Sequence, residues 1–107
     1  GGPEDEEART PDWARLSSGE LIGRLVEEVR GEVAREIKLA PEEIGLQRPL
    51  LEMGMDSVMT VAVRRCLERL FHLTLPATLL WNRPTVLAIA EYLAECLAPA
   101  GAGSGEA

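Results

Sequence analysis

Apolar residues recur at helical spacing in three separate stretches of the chain, and this repetition limits the fold more than any other feature. The first stretch, residues 17–38, opens with Ser17 and Glu20, which match a capping box in which each side chain covers a free amide of the first turn. Its apolar side chains share one face: Ile22, Leu25, Val26, Val29, Val33 and Ile37. We therefore predict a first helix over residues 17–38.

A second helix is predicted over residues 57–71, directly after Asp56, a residue type favoured at helix N-caps. Its first half is apolar on almost every side, through Val58, Met59, Val61, Ala62 and Val63. One side of such a helix faces the core, and the other side is left to contact something else. The second half is basic, because it carries Arg64, Arg65 and Arg69.

The remaining helices follow from the positions of proline. Pro76 is expected to begin a short helical turn at about residues 76–81, and Pro84-Thr85 is expected to end that element and cap the next. A last helix is predicted over residues 86–97, with one apolar face formed by Val86, Ile89, Ala90, Leu93 and Leu97.

A long loop over residues 39–55 joins the first two helices and is punctuated by Pro41, Gly45, Pro49 and Gly54. Its apolar residues should attach it to the helices: Ile44, Leu46, Leu50 and Leu51. Trp81 is expected to be in the core or partly buried. Since no stretch alternates with period two for long enough to form a strand, we predict an all-α, four-helix bundle of three main helices and one short helix.

The two ends of the chain differ in composition from the middle. Residues 1–16 are acidic and proline-containing, and residues 98–107 consist mostly of alanine and glycine. We therefore expect two flexible linkers on either side of one folded domain over residues 17–97. Trp13 lies in the first linker, and the sequence leaves open whether it packs on the domain.

Charge and composition exclude several classes of function. The formal net charge of −7 lacks the basic footprint that nucleic-acid binding requires. No apolar run approaches the length of a membrane span, and we expect no signal peptide. Cys66 and Cys96 lack the spacing of a metal site, so we expect two reduced thiols. A cytoplasmic monomer without a bound metal is the expectation.

Ser57 is the candidate functional residue, and a role as a catalytic nucleophile is examined first. A hydrolase nucleophile elbow would have glycine two residues on either side of the serine, where this chain has Met55 and Met59. The single histidine, His72, lies about four turns along the same helix and cannot reach Ser57. A Ser-His-Asp triad is therefore excluded, and we expect no enzymatic activity from this domain.

Attachment of a phosphate group to Ser57 agrees better with its position. Free amides and the positive end of the helix dipole favour an anion at a helix N-terminus. Asp56 would disfavour an anion alone, but a carboxylate beside a phosphate is a usual arrangement for Mg²⁺. The Asp56-Ser57 pair by itself, however, is also an ordinary helix cap.

The residues around this pair form a recognisable pattern. Before and within the second helix it consists of Pro49-Leu50, Gly54, Met55-Asp56-Ser57, Met59, Val61 and Arg64. Further along it continues with Leu75-Pro76-Ala77-Thr78-Leu79-Leu80-Trp81-Asn82, Pro84-Thr85-Val86 and Tyr92-Leu93. This pattern resembles acyl carrier domains of type I polyketide synthases around their phosphopantetheine attachment site, and the resemblance spans roughly residues 20–97.

This resemblance implies a function. A phosphopantetheinyl transferase would move 4′-phosphopantetheine from coenzyme A onto Ser57 with the help of Mg²⁺, and Asp56 would support the transfer. The arm would then hold acyl or polyketide intermediates as thioesters. Ketosynthase, acyltransferase and tailoring or thioesterase domains would act on them, while the carrier itself would catalyse nothing.

Some residues depart from the family pattern. Val58 replaces the usual leucine, Ala62 a frequent glutamate, Cys66 a frequent arginine and Asn82 a common aspartate. Because Ala62 removes an acid from a helix that also carries several arginines, we predict docking that depends on apolar contacts and less on salt. The predicted partner contacts are Met55, Val58, Met59, Arg64 and Arg65.

Two alternatives remain open. A peptidyl carrier of a nonribosomal peptide synthetase is similar in pattern, but such domains often have Gly-Gly-[His/Asp]-Ser where this chain has Gly54-Met55-Asp56-Ser57. A helical interaction module with an unmodified Ser57 belongs to a different class. Attachment of the arm separates that module from both kinds of carrier.

Overall fold

The structure is a computed structural model, and it describes residues 16–97. Its four helices are α1 (Ser18–Ile37), α2 (Ser57–Phe71), α3 (Leu79–Asn82) and α4 (Val86–Leu97). Two 3-10 turns, Pro41–Glu43 and Leu50–Met53, lie between α1 and α2. No strand occurs among residues 16–97, and the prediction of an all-α bundle of three main helices and one short helix is confirmed.

The predicted linkers fall almost wholly outside this range. Residues 1–15, which include Trp13, and residues 98–107 lie outside the described residues. Within residues 16–97, no helix is both long and apolar enough to cross a membrane.

The capping box predicted at the start of α1 is present. The Glu20 amide donates to Ser17 Oγ at 3.2 Å, and the Ser17 amide donates to Glu20 Oε1 at 3.0 Å. These two bonds satisfy amides that the first helical turn would otherwise leave without a partner. The helix ends at Ile37, and its C-cap Lys38 adopts a left-handed conformation with φ 68°.

The core is formed by α1 packing chiefly on α4 and also on α2. Leucine, valine and isoleucine side chains from all three long helices fill it, and the fully buried ones include Leu25, Val29, Val33, Val63, Leu67, Val86, Ile89 and Leu93. Each such side chain contributes about 1.5–3 kcal/mol relative to an exposed one, so this three-helix contact supplies most of the stability.

The loop before α2 is attached to the bundle by main-chain and side-chain contacts. The Leu50 amide donates to the Pro84 carbonyl at 2.8 Å, and the Leu87 amide donates to the Leu46 carbonyl at 3.0 Å. Ile44 and Leu50 are buried as expected. Leu51 is 46% exposed, so the expectation that it attaches the loop is wrong, because the 3-10 turn directs Leu50 inward in its place.

The short helix α3 differs from its prediction in two respects. It begins at Leu79 and not at Pro76, whose carbonyl accepts a hydrogen bond from the Leu79 amide at 3.0 Å. Leu79 and Leu80 are buried, and they leave Trp81 on the outer side with 51% exposure. Of the two positions expected for Trp81, the core is wrong and partial burial agrees with the structure, since half of its surface faces solvent.

Gly54 occupies a backbone conformation that other residues rarely adopt, and this yields a first prediction. Its φ is 103°, and an added Cβ would lie 3.6 Å from Ile37 Cγ2, without a clash. We expect Gly54→Ala to lower the free energy of unfolding by about 1–2 kcal/mol through backbone strain, as measured by urea denaturation.

Gly23→Ala is the matched control, because an added Cβ there meets nothing within 4 Å on α1. Replacing a glycine inside a helix should raise the free energy of unfolding by up to about 1 kcal/mol. Equal effects of the two substitutions would contradict the assignment of strain to Gly54.

Candidate functional site

Ser57 is the first residue of α2, and Asp56 is its N-cap. Asp56 Oδ1 accepts a hydrogen bond from the Met59 amide at 2.8 Å, and the Asp56 carbonyl accepts one from the Thr60 amide at 3.0 Å. These bonds start the helix at Ser57, because the Asp56 carboxylate accepts from an amide that would otherwise need a carbonyl of a preceding helical turn. Both Asp56 and Ser57 are exposed.

The surroundings of the Ser57 hydroxyl suit a phosphodiester. Within residues 16–97, no hydrogen bond occupies the amides of Ser57 and Val58 or the hydroxyl of Ser57. These amides lie in the first turn of α2, at the positive end of its dipole. A phosphate esterified to Ser57 would therefore find unused donors and a favourable field, so the residues present fit the group.

Met55 anchors the chain just before the site. Its side chain is 4% exposed, within the hydrophobic core, and its amide donates to the Leu50 carbonyl at 3.3 Å. Because Met55 points into the core, the next two residues project toward solvent. The predicted role of Met55 as a partner contact is not compatible with this burial, and the residue has a supporting role in its place.

The two other apolar residues predicted as partner contacts differ in exposure. Val58 is 74% exposed, whereas Met59 is half-buried and packs against the core. Val61, one turn further along the same face as Val58, is also exposed. The apolar surface beside Ser57 is therefore formed by Val58 and Val61, with a smaller share from Met59.

The two predicted basic contacts also differ. Arg64 is half-buried, and its Nη1 donates to Glu68 Oε2 at 3.3 Å, so its guanidinium is already engaged. Arg65 is exposed and available to a partner. Arg69 Nη2, one turn further on, donates to Cys66 Sγ at 3.4 Å.

Thr60 belongs to the site although the sequence analysis did not single it out. It is the one buried polar side chain among the described residues, and its Oγ1 donates to the Ser57 carbonyl at 2.7 Å. This back-bond satisfies the hydroxyl inside the bundle and holds the main chain of Ser57. The sequence could have indicated this role, because Thr60 is a polar residue among the apolar ones that follow Ser57 in α2.

The histidine of this chain lies far from Ser57. His72 is the C-cap of α2, at the end opposite to Ser57 and about 22 Å along the helix at 1.5 Å per residue. The described residues contain no group of three or more His, Cys, Asp or Glu side chains that could hold a metal ion. Asp56 is the one carboxylate in sequence beside Ser57.

Comparison with known sequences identifies the region around this serine. Residues 27–93 match the family model described as a phosphopantetheine attachment site. The chain is 45% identical over 93 residues to 5-methyl-1-naphthoate synthase of Streptomyces sahachiroi. It is 38% identical over 91 residues to 6-methylsalicylic acid synthase of Penicillium patulum, and 35% identical over 88 residues to a phenolphthiocerol/phthiocerol polyketide synthase of Mycobacterium tuberculosis. These matches cover 82–87% of this chain but 5% of each relative, so the chain spans about one twentieth of their length.

A solved structure agrees with this result. The free-standing peptidyl carrier protein of Acinetobacter baumannii is 37% identical and superimposes with a TM-score of 0.69, over 71% of this chain and 95% of that one. The family match extends over more than half of the chain and includes α2 with Ser57 at its start. The predicted carrier function is confirmed: the chain belongs to the phosphopantetheine attachment family of carrier domains.

Proposed function

We propose that this chain is an acyl carrier domain of the polyketide synthase type, with the arm attached to Ser57. The observation that carries the proposal is the exposed Ser57 hydroxyl at the start of α2, within the region that matches the family. Phosphopantetheine supplies a terminal thiol, on which acyl intermediates are carried as thioesters.

Ser57 Oγ is the atom that accepts the phosphoryl group in this proposal. It forms the new P–O bond and loses its proton, while a P–O bond of the coenzyme A pyrophosphate breaks and adenosine 3′,5′-bisphosphate leaves. Since His72 is at the far end of α2, the proposal assigns the base that removes the proton to the transferase. The unused amides of Ser57 and Val58 then face the new phosphodiester.

Asp56 has two roles in this proposal. One carboxylate oxygen caps α2 through the Met59 amide. The carboxylate is exposed, so it is also placed to support the Mg²⁺ that accompanies coenzyme A in the transferase complex.

The domain contributes to biosynthesis by tethering and not by catalysis. A substrate held on the arm meets each partner domain at a high effective concentration, which makes the encounter nearly intramolecular. The proposed partners are the transferase, followed by ketosynthase, acyltransferase and tailoring or thioesterase domains, in a cytoplasmic setting.

Two observations favour an acyl carrier domain over a peptidyl carrier domain. A relative whose name states a polyketide synthase matches 82% of this chain, and a synthase of an aromatic acid shares 45% identity. Gly54-Met55-Asp56-Ser57 also departs from the sequence common in peptidyl carriers. The similarity to a peptidyl carrier structure shows that the fold alone does not separate the two classes.

Partner docking is proposed to use the exposed face of α2. Val58 and Val61 supply apolar area next to the arm, and Arg65 supplies a positive charge at its edge. Because Arg64 is engaged with Glu68, most of the contact is apolar and depends little on ionic strength.

Arm attachment is the test of the proposed function. The purified chain, incubated with coenzyme A, Mg²⁺ and a broad-specificity phosphopantetheinyl transferase, should gain the mass of one phosphopantetheine group by intact mass spectrometry. Ser57→Ala should gain nothing, because it lacks the hydroxyl that forms the ester. A folded native chain that stays unmodified, beside a known carrier that is modified, would support the interaction module.

Substitutions of Asp56 separate its two proposed roles. Asp56→Ala should lower the free energy of unfolding by about 1 kcal/mol through loss of the cap, whereas Asp56→Asn should leave it nearly unchanged. Both variants should slow arm attachment, since neither has a carboxylate for the cation. Urea denaturation and the initial rate of mass gain measure the two effects. If Asp56→Asn is modified as fast as the native chain, Asp56 is a cap and nothing more.

Val58→Glu tests the docking surface. The side chain is 74% exposed, so the fold should tolerate the charge. We expect the KM of a partner ketosynthase for the loaded carrier to rise about tenfold, since burial of a valine is worth roughly 1.5 kcal/mol. Leu70→Glu, which changes another exposed apolar residue of α2 far from Ser57, is the matched control. Unchanged KM for Val58→Glu would exclude this surface.

A further inference from the structure

The segment over residues 72–84, which carries α3, connects the end of α2 to the start of α4. Its helix has four residues and is too short to be stable in isolation. Its position therefore depends on how the two ends of the segment are held.

Glu68 holds the first end with both its side chain and its main chain. Its Oε2 accepts a hydrogen bond from the Leu75 amide at 2.7 Å, seven residues further along the chain. Its carbonyl accepts from the amides of His72 and Leu73, the latter at 3.1 Å. Since the Leu75 side chain is buried, its amide has little access to water and depends on this carboxylate.

Arg64 orients the Glu68 carboxylate. Arg64 Nη1 lies 3.3 Å from the same Oε2 that accepts the Leu75 amide, and both side chains are largely covered. A carboxylate that receives one donor from the helix and another from the following loop has few other positions open to it. The turn after α2 is thereby fixed to α2 itself.

The second end of the segment is joined to the loop that leads to Ser57. The Pro84 carbonyl accepts from the Leu50 amide at 2.8 Å, and the Leu50 carbonyl accepts from the Met55 amide at 3.3 Å. Met55 lies two residues before Ser57. One series of main-chain bonds thus runs from the end of the α3 segment to the start of α2.

We infer that Glu68 is a positioning residue for Ser57, although it lies about 16 Å away along α2. Glu68 fixes the α3 segment, and the Leu50–Pro84 bond passes that constraint to the loop before Ser57. The predicted effect on arm attachment rests on the proposed function, because it requires that the arm is attached to Ser57. It assigns to Glu68 no contact with the arm, coenzyme A or the reacting atoms.

The test compares Glu68→Ala with Glu68→Gln, which keeps an oxygen able to accept the Leu75 amide. In Glu68→Ala, amide exchange measured by NMR should become at least about tenfold faster at Leu75. Exchange at Leu50 and Met55 should also accelerate, and kcat/KM for arm attachment should fall between about twofold and thirtyfold. Glu68→Gln should restore all of these values to within about twofold of the native ones.

Val33→Ala is the control for a simple loss of stability, since Val33 is buried in α1 and takes part in none of these hydrogen bonds. It should destabilise the core while leaving arm attachment and the Leu50 and Met55 amides unchanged. The inference is overturned if Val33→Ala slows attachment as much as Glu68→Ala does, or if Glu68→Ala leaves exchange at Leu50 and Met55 unaltered. If the native chain accepts no arm, the proposed function fails, while amide exchange still decides whether Glu68 controls the loop.

Discussion

The hydrogen bond from the Met59 amide to Asp56 Oδ1 determines where α2 begins, and the geometry of the site follows from that register. With the cap at Asp56, Met55 is the last residue of the loop and points into the core, while Ser57 is the first residue of the helix and faces solvent. A shift of one residue would place a different side chain at the exposed first position. The cap thus selects which residue of the chain stands at the exposed first position of α2.

Much of this arrangement could be predicted because it depends on local chemistry. The capping box of Ser17 and Glu20, the Asp56 cap and the three apolar stripes each act within a few residues, so the long helices were predicted to within one residue of their bounds. The family pattern then singled out Ser57 among the serines, and the family assignment is confirmed.

What could not be predicted depends on packing in irregular segments. Leu51, Met55 and Trp81 lie in or next to short turns, where no periodicity tells which apolar side chain points inward. The predictions for Leu51 and Met55 are wrong, and the one for Trp81 left two positions open, because the burial of each depends on contacts distant in sequence. The hydrogen bond from the Leu75 amide to Glu68 was missed for a similar reason. A charged residue in a helix is normally predicted to face solvent, and the sequence does not show that the following loop covers it.

The small size of the exposed apolar surface on α2 has a consequence for timing. Val58 and Val61 together offer far less than the roughly 1,200 Å² that stable protein interfaces bury, so the complexes proposed to form there would dissociate quickly. An acyl group held on the proposed arm as a thioester would stay attached when a partner dissociates. In this proposal the acyl group is held by a covalent bond, and each partner is held by non-covalent contacts. The acyl group can therefore stay bound through many short-lived partner complexes.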